Sequence, residues 1–305
     1  MAEPPRTLHE AILKNDTESV RNQLENNISP NVFPNEPRIT PLILAVRLKF
    51  HGILILLLQY GANVGGVDIL GKTALHYAVD MNDVDSVFIL VFHNCPLDIL
   101  DNFNISPLTL AIWRNNIQMV RYLVANGAVV YARLEIYPVP PLTFAVFLGR
   151  LDILKFLLTV EEENIMRKAT NLHYALCVAC DGGQIEAVRY LIDCGAQVDR
   201  WSPDVESPLE IAILRDHEEI VSLLLSRHAS VNDHDFAGYT PLMHAVIHDN
   251  LSAVAQLLWY GADPDEVRNG TTETAERMAM DMERETIVQM FFFWKYEVIT
   301  SMTGL

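Results

Sequence analysis

The stretch SPLTLAIWRNNIQMVRYLVANGA, residues 106–128, decides how the rest of the chain is read. Ser106 followed by Pro107 is a helix start, because the hydroxyl can cap free amides and proline suits the first turn. Leu108 and Ala111 then share one face of a short helix. Asn115 tolerates a left-handed backbone and closes that helix. The apolar group MVRYLV at 119–124 has helical spacing and predicts a second helix, which ends at Gly127-Ala128.

The pattern recurs along the chain. TPLILAV, TALHYAV, SPLTLAI, PPLTFAV, SPLEIAI and TPLMHAV begin at 40, 73, 106, 140, 207 and 240, with gaps of 33, 33, 34, 67 and 33 residues. The gap of 67 holds two units, so a diverged copy starts near 174. Outer copies start near 6 and 274, which gives nine units over residues 1–305 and a short tail at 296–305. The sixth residue of each unit tests the register. It is Ala11, Ala45, Ala78, Ala111, Ala145, Ala179, Ala212, Ala245 and Ala279. Only a small side chain lets two helices approach closely there. Eight of the nine third residues are Leu, the exception being Glu276.

The T-P-L-x-x-A start and Gly-Ala ending, repeated in register, resemble the ankyrin repeat. The resemblance implies an all-α dominated solenoid of helix-turn-helix units joined by β-hairpin fingers. It also implies a concave face formed by the fingers and the first helices. One unit departs from the pattern: TVEEENIMRKATNLHYA, residues 159–175, lacks the Gly-Ala ending, so its finger is expected to be irregular or partly helical.

Cys177 and Cys180 form a C-x-x-C, a spacing used by zinc sites and redox dithiols. A tetrahedral zinc site wants four ligands, and only Cys194 and His173 could complete the set. In register, the two cysteines bracket Ala179 on the first helix of the sixth unit, which favours packing over chemistry. His9, His76, His173 and His244 fall near helix starts, where capping is the expected role, and Glu161–Glu163 reads as a solvated loop or helix end. No phosphate-loop or nucleophile-elbow motif occurs. No enzyme activity, cofactor or metal is expected.

A net charge of −17 disfavours tracking of nucleic-acid phosphates or adhesion to anionic membranes, and suits a partner with a basic flank. No apolar run reaches the roughly 18 to 20 residues of a membrane span. The N-terminus carries no secretory pattern, and the four cysteines are few, which points to the cytoplasm, with the nucleus as the alternative.

The resemblance places late finger residues and the eighth and ninth residues of each unit on the concave face. Here these are Ile69, Leu70, Met81, Phe103, Trp113, Ile136, Phe147, Leu148, Leu214, Phe236, Tyr239 and Ile247. Arg47, Asp80, Arg114, Asp181, Asp204 and Arg215 lie among them. Large apolar side chains at exposed positions mark an interface. The expected function is a non-enzymatic scaffold or adaptor that binds a protein or peptide. The alternatives are an acidic inhibitor of a basic-segment protein such as a transcription factor, a substrate adaptor of a ubiquitin ligase, and, from another class, a redox or zinc protein using Cys177 and Cys180. Trp201 and the run Phe291–Trp294 are secondary contact candidates, and Thr303-Gly304-Leu305 matches a loose PDZ-binding ending.

Overall fold

The computed structural model describes residues 7–32, 39–131, 139–200, 206–268 and 271–303, with side chains through Lys295. Ile136, Trp201, Asp204, Gly304 and Leu305 lie outside the described residues. The chain divides into two compact units, Met1–Val160 and Glu161–Leu305. The first contains α1 (Leu8–Leu13), α2 (Thr17–Glu25), α3 (Pro41–Arg47), α4 (His51–Gln59), α5 (Ala74–Asp80), α6 (Val84–Phe92), α7 (Pro107–Trp113), α8 (Ile117–Ala125), α9 (Pro141–Phe147) and α10 (Leu151–Leu157). The second contains α11 (Ile165–Asp181), α12 (Ile185–Asp193), α13 (Pro208–Leu214), α14 (Glu218–Ser226), α15 (Pro241–Ile247), α16 (Leu251–Trp259), α17 (Ala275–Asp281) and α18 (Glu285–Thr303).

Local chemistry sets these short helices. Thr40, Ser106 and Thr240 accept hydrogen bonds from the amides of Ile43, Thr109 and Met243, and Pro41, Pro107 and Pro241 occupy the first turns. Asn15, Asn82, Asn115, Asp216 and Asp249 close the first helices at φ between 51 and 57°. Each of these turns returns the chain antiparallel, so the second helix packs on the first.

Within each unit the helix pairs stack. First helices pack in the order α1, α3, α5, α7, α9 in the first unit and α11, α13, α15, α17 in the second. The alanine at the sixth position is fully buried in every repeat, from Ala11 to Ala279. Leu42, Leu75, Leu108 and Leu242 join it in the core at 0–2% exposure. Turn-to-turn side-chain bonds run beside this core: Asn116 Nδ2 donates to Asn82 Oδ1 at 2.6 Å, and Asn250 Nδ2 donates to Asp216 Oδ1 at 2.9 Å. Exposed rungs of this kind contribute little, so burial carries the stack.

One feature differs from the sequence expectation, and a second agrees with it. Among the described residues the fingers hold no named strand, only isolated bridges, Val67 with Thr73 and Val267 with Thr274. The loop amides are taken up by side chains instead: Asp68 Oδ1 accepts from the amides of Leu70 and Lys72, both at 2.9 Å. The irregular finger at 161–173 is resolved into a helix start. Asn164 caps the amide of Arg167, and α11 runs unbroken through the first-helix position of the sixth repeat. Nothing between Ile165 and Asp181 breaks a helix, because Ala175 stands where five other units carry proline.

Close approach at the alanine row predicts that Ala111→Leu overpacks the stack and lowers stability by about 1–3 kcal/mol, read as a lower denaturant midpoint. A second prediction concerns His76. Its Nδ1 accepts from the Thr73 amide at 3.1 Å while its Nε2 faces the Ile105 carbonyl at 3.0 Å, so the folded state needs the neutral ring. Burial, the largest cause, lowers its pKa from 6.5, and burial lowers His173 likewise. The unfolded chain therefore binds more protons around and below the ordinary value, and stability falls as pH drops through 6.5. Thermal melts of His76→Gln should show a shallower loss as pH falls through 6.5.

Candidate protein-binding face

In the first unit, exposed apolar side chains stand at the ends of first helices and at the finger tips. Trp113, at the end of α7, is 52% exposed, and Phe147, at the end of α9, is 66% exposed. Phe144 lies between them: its ring centroid is 6.1 Å from Trp113 and 6.3 Å from Phe147, the latter pair stacked with an interplanar angle of 21°. Met81 and Leu148 follow α5 and α9 and are half-buried. Arg114 forms an ion pair with Asp80 across adjacent repeats, its Nε donating at 2.8 Å. The row is thus aromatic with a charged flank.

The finger tips are held out by aspartates. Asp68 fixes the turn that exposes Ile69 and Leu70, and Asp101 Oδ1 accepts from Phe103 and Ile105 at 2.9 and 3.0 Å. Ile69 and Phe103 are 67% and 68% exposed. Adjacent tips are tied together, since the Asn102 amide donates to the Leu70 carbonyl at 2.9 Å and its side chain donates to the Ile69 carbonyl at 3.0 Å. Gly71, at φ 73°, makes this possible: a Cβ there would stand 2.6 Å from Asn102 Oδ1 and 2.9 Å from its backbone nitrogen. Below the tip, the Tyr77 hydroxyl donates to Asp68 at 2.6 Å, and burial with that bond pushes its pKa up to about 12. The Arg47 guanidinium sits over the Tyr77 ring at 5.4 Å.

The second unit repeats the design more sparsely. Phe236 is exposed at a tip turned by Asp235, which accepts from the Tyr239 amide at 2.8 Å. Tyr239 is half-buried beneath the Arg268 guanidinium, 3.9 Å from its ring centre. Leu214 and Ile247 are half-buried at the ends of α13 and α15. Arg215 Nε donates to Asp181 at 2.6 Å.

The reactive-thiol alternative meets unfavourable chemistry. Cys180 is fully buried, and burial raises its pKa well above the ordinary 9.0. Burial, with the charge of Glu206, pushes Cys177 up to about 12. Its sulfur lies 3.5 Å from His173 Nε2, whose ring faces the Gln197 carbonyl through Nδ1. A thiolate is the reactive and ligating form, and this setting disfavours it. Among the described residues, His51, Asp83 and Asp85 lie together, with candidate ligand atoms within 4.8 Å. Asp83 caps α6 there, accepting from the Ser86 hydroxyl at 2.7 Å and facing His51 at 3.1 Å.

The helix pairs, their in-register caps and the finger turns match one family pattern. The pattern described as ankyrin repeats (three copies) matches residues 8–101, 82–169, 142–235 and 176–268. The chain belongs to the ankyrin-repeat family. Among ankyrin-bearing relatives, it is 28% identical to an ankyrin repeat and KH domain-containing protein of Caenorhabditis briggsae over 279 residues, covering 74% of this chain and 11% of that protein. It is 27% identical to a putative ankyrin repeat protein of fowlpox virus, covering 62% of this chain and 36% of that one. Neurogenic locus notch homolog protein 1 of Homo sapiens is 44% identical over 72 residues, which is 24% of this chain and 3% of that protein. The chain therefore spans far less than two thirds of the length of these relatives. Ankyrin repeats are generally protein-interaction domains. No described helix is long and apolar enough to cross a membrane.

Two groups escape a reading by eighth and ninth positions. Phe144 occupies the fifth position, and its i, i+3 relation to Phe147 was the available signal. Val84, Phe88 and Phe92 form an exposed i, i+4, i+8 stripe on α6, with the two rings 6.5 Å apart. Gly71→Ala should strain the finger and clash with Asn102, costing about 1–2 kcal/mol. Faster amide exchange at Asn102, with α5 and α7 unchanged, is the expected readout.

Proposed function

We propose that the chain is a non-enzymatic scaffold or adaptor that captures a protein or peptide on the face containing Trp113, Phe144 and Phe147. The observation that carries this reading is the aromatic row on α7 and α9, and the exposed Ile69, Leu70 and Phe103 on tied finger tips support it. Contiguous exposed apolar surface favours an interface, and large aromatic rings with a neighbouring Arg are suited to be its anchors. The net charge of −17 suits a partner that carries a basic flank beside its apolar segment.

The test is capture of binding partners by the wild-type chain and by a Trp113→Ala, Phe147→Ala variant. Both rings are more than half exposed, so thermal unfolding should stay nearly unchanged. Partner affinity should fall by about 2 kcal/mol or more, the range of an anchor residue, and the remaining binding should weaken with salt. Retention of the same partners at unchanged affinity would overturn the assignment of this face.

A further inference from the structure

The eighth residues of repeats two to five are Arg47, Asp80, Trp113 and Phe147, and the fifth residues of repeats three and five are Tyr77 and Phe144. Because α3, α5, α7 and α9 stack in that order, these positions form one row along the first unit. One end of the row is the aromatic group described above. The other end is cationic. The Arg47 guanidinium lies 5.4 Å from the centre of the Tyr77 ring, and Lys72 Nζ lies 5.9 Å from it. The Tyr77 hydroxyl donates to Asp68 Oδ2 at 2.6 Å, so the ring is a fixed platform for both cations. Asp80 joins the two ends: it stands one turn after Tyr77 and pairs with Arg114, the residue beside Trp113.

Among the described residues, neither Arg47 nor Lys72 reaches a carboxylate. The nearby acids are already engaged. Asp68 is buried, with Oδ1 accepting from the Leu70 and Lys72 amides and Oδ2 from Tyr77. Asp80 is taken by Arg114. The second unit holds the same arrangement in a completed form. There Arg268 lies 3.9 Å from the Tyr239 ring centre, and its Nη1 donates to Glu273 Oε2 at 2.8 Å. A guanidinium laid against an aromatic ring keeps in-plane donors for a carboxylate. Glu273 supplies that carboxylate at Tyr239, and no described residue supplies it at Tyr77.

We propose that Arg47 and Lys72, held on Tyr77, bind the carboxylate of an aspartate or glutamate side chain in the protein segment captured by Trp113 and Phe147. The assignment rests on the binding face proposed above and adds the chemistry of its partner. The ligand is an anion because two cations meet at one ring with no described carboxylate to pair them. It is a side chain, not a chain terminus, because terminal carboxylates are captured by backbone amides, and the Leu70 and Lys72 amides are taken up by Asp68. It is a carboxylate, not a phosphate, because a net charge of −17 opposes a dianion more strongly than a monoanion. The spacing follows from the stack. Packed helices lie about 8–10 Å apart, which an extended segment covers in about three residues. The acid of the partner therefore stands about three residues from the apolar residue seated at Trp113.

Selection of a displayed library of random linear peptides on the full chain tests this subsite. Binders should share an apolar residue with Asp or Glu about three residues away. For a synthetic copy of one binder, Arg47→Met with Lys72→Met should weaken affinity about tenfold or more, with thermal unfolding unchanged. The same peptide with its acid replaced by the matching amide should bind the wild-type chain as weakly, and lose little more on the variant. Trp113→Ala with Phe147→Ala should weaken both peptides, which reads the binding face separately. Binding that ignores Trp113 and Phe147 overturns the face, whereas binding that needs them but ignores Arg47 and Lys72 overturns the subsite alone. Binders that lack an acid, no binders at all, or equal losses of the acid and amide peptides on the variant would each overturn the subsite as well. So would a loss of affinity on C-terminal amidation, or tighter binding when phosphoserine replaces the acid.

Discussion

Close approach of neighbouring first helices at a row of alanines is the constraint on which the rest depends. A larger side chain at Ala78 or Ala111 would hold adjacent repeats apart. The leucines at the third position would then lose their neighbours, and the finger tips would lose their register. Both are needed for burial, because a single helix pair of this size cannot cover its own apolar face. The caps and left-handed turns set where each helix begins and ends. Their task is to deliver the alanine to the contact.

From that contact the exposed face follows. Stacked first helices bring the eighth residues of successive repeats close together, so Trp113 and Phe147 come to flank Phe144 although they are far apart in sequence. The fingers use a different chemistry. Asp68 and Asp101 satisfy the loop amides locally, which removes the need for a strand ladder and leaves Ile69 and Phe103 turned to solvent. Gly71 then lets the next finger close on the tip, so the tips are braced as a series. The binding reading proposed above draws on this bracing, since a preorganised face loses less freedom when a partner docks.

The same stacking rule explains why the sixth repeat tolerates its departures. Tyr174-Ala175 replaces the capping residue and proline found in most other units, and the helix start moves upstream to Asn164. Ala179 nevertheless stays fully buried, with Cys180 beside it. The contact is kept while the finger is exchanged for a helix. The two cysteines fill space in that contact, and their burial raises both thiol pKa values.

Much of this was legible in the residues. The repeat length, the helix limits, the buried alanine row and the turn asparagines are local or periodic properties, and chain chemistry alone determines them through capping, backbone tolerance and side-chain size. The composition likewise sets the negative charge. Other features needed three dimensions, because they depend on groups that meet across repeats. The place of Phe144 between two rings and the aspartate-held fingers in place of strand ladders both come from which groups meet across repeats. Met280 and Val246 are both apolar in the sequence; only the folded structure shows that Val246 is buried and Met280 is exposed.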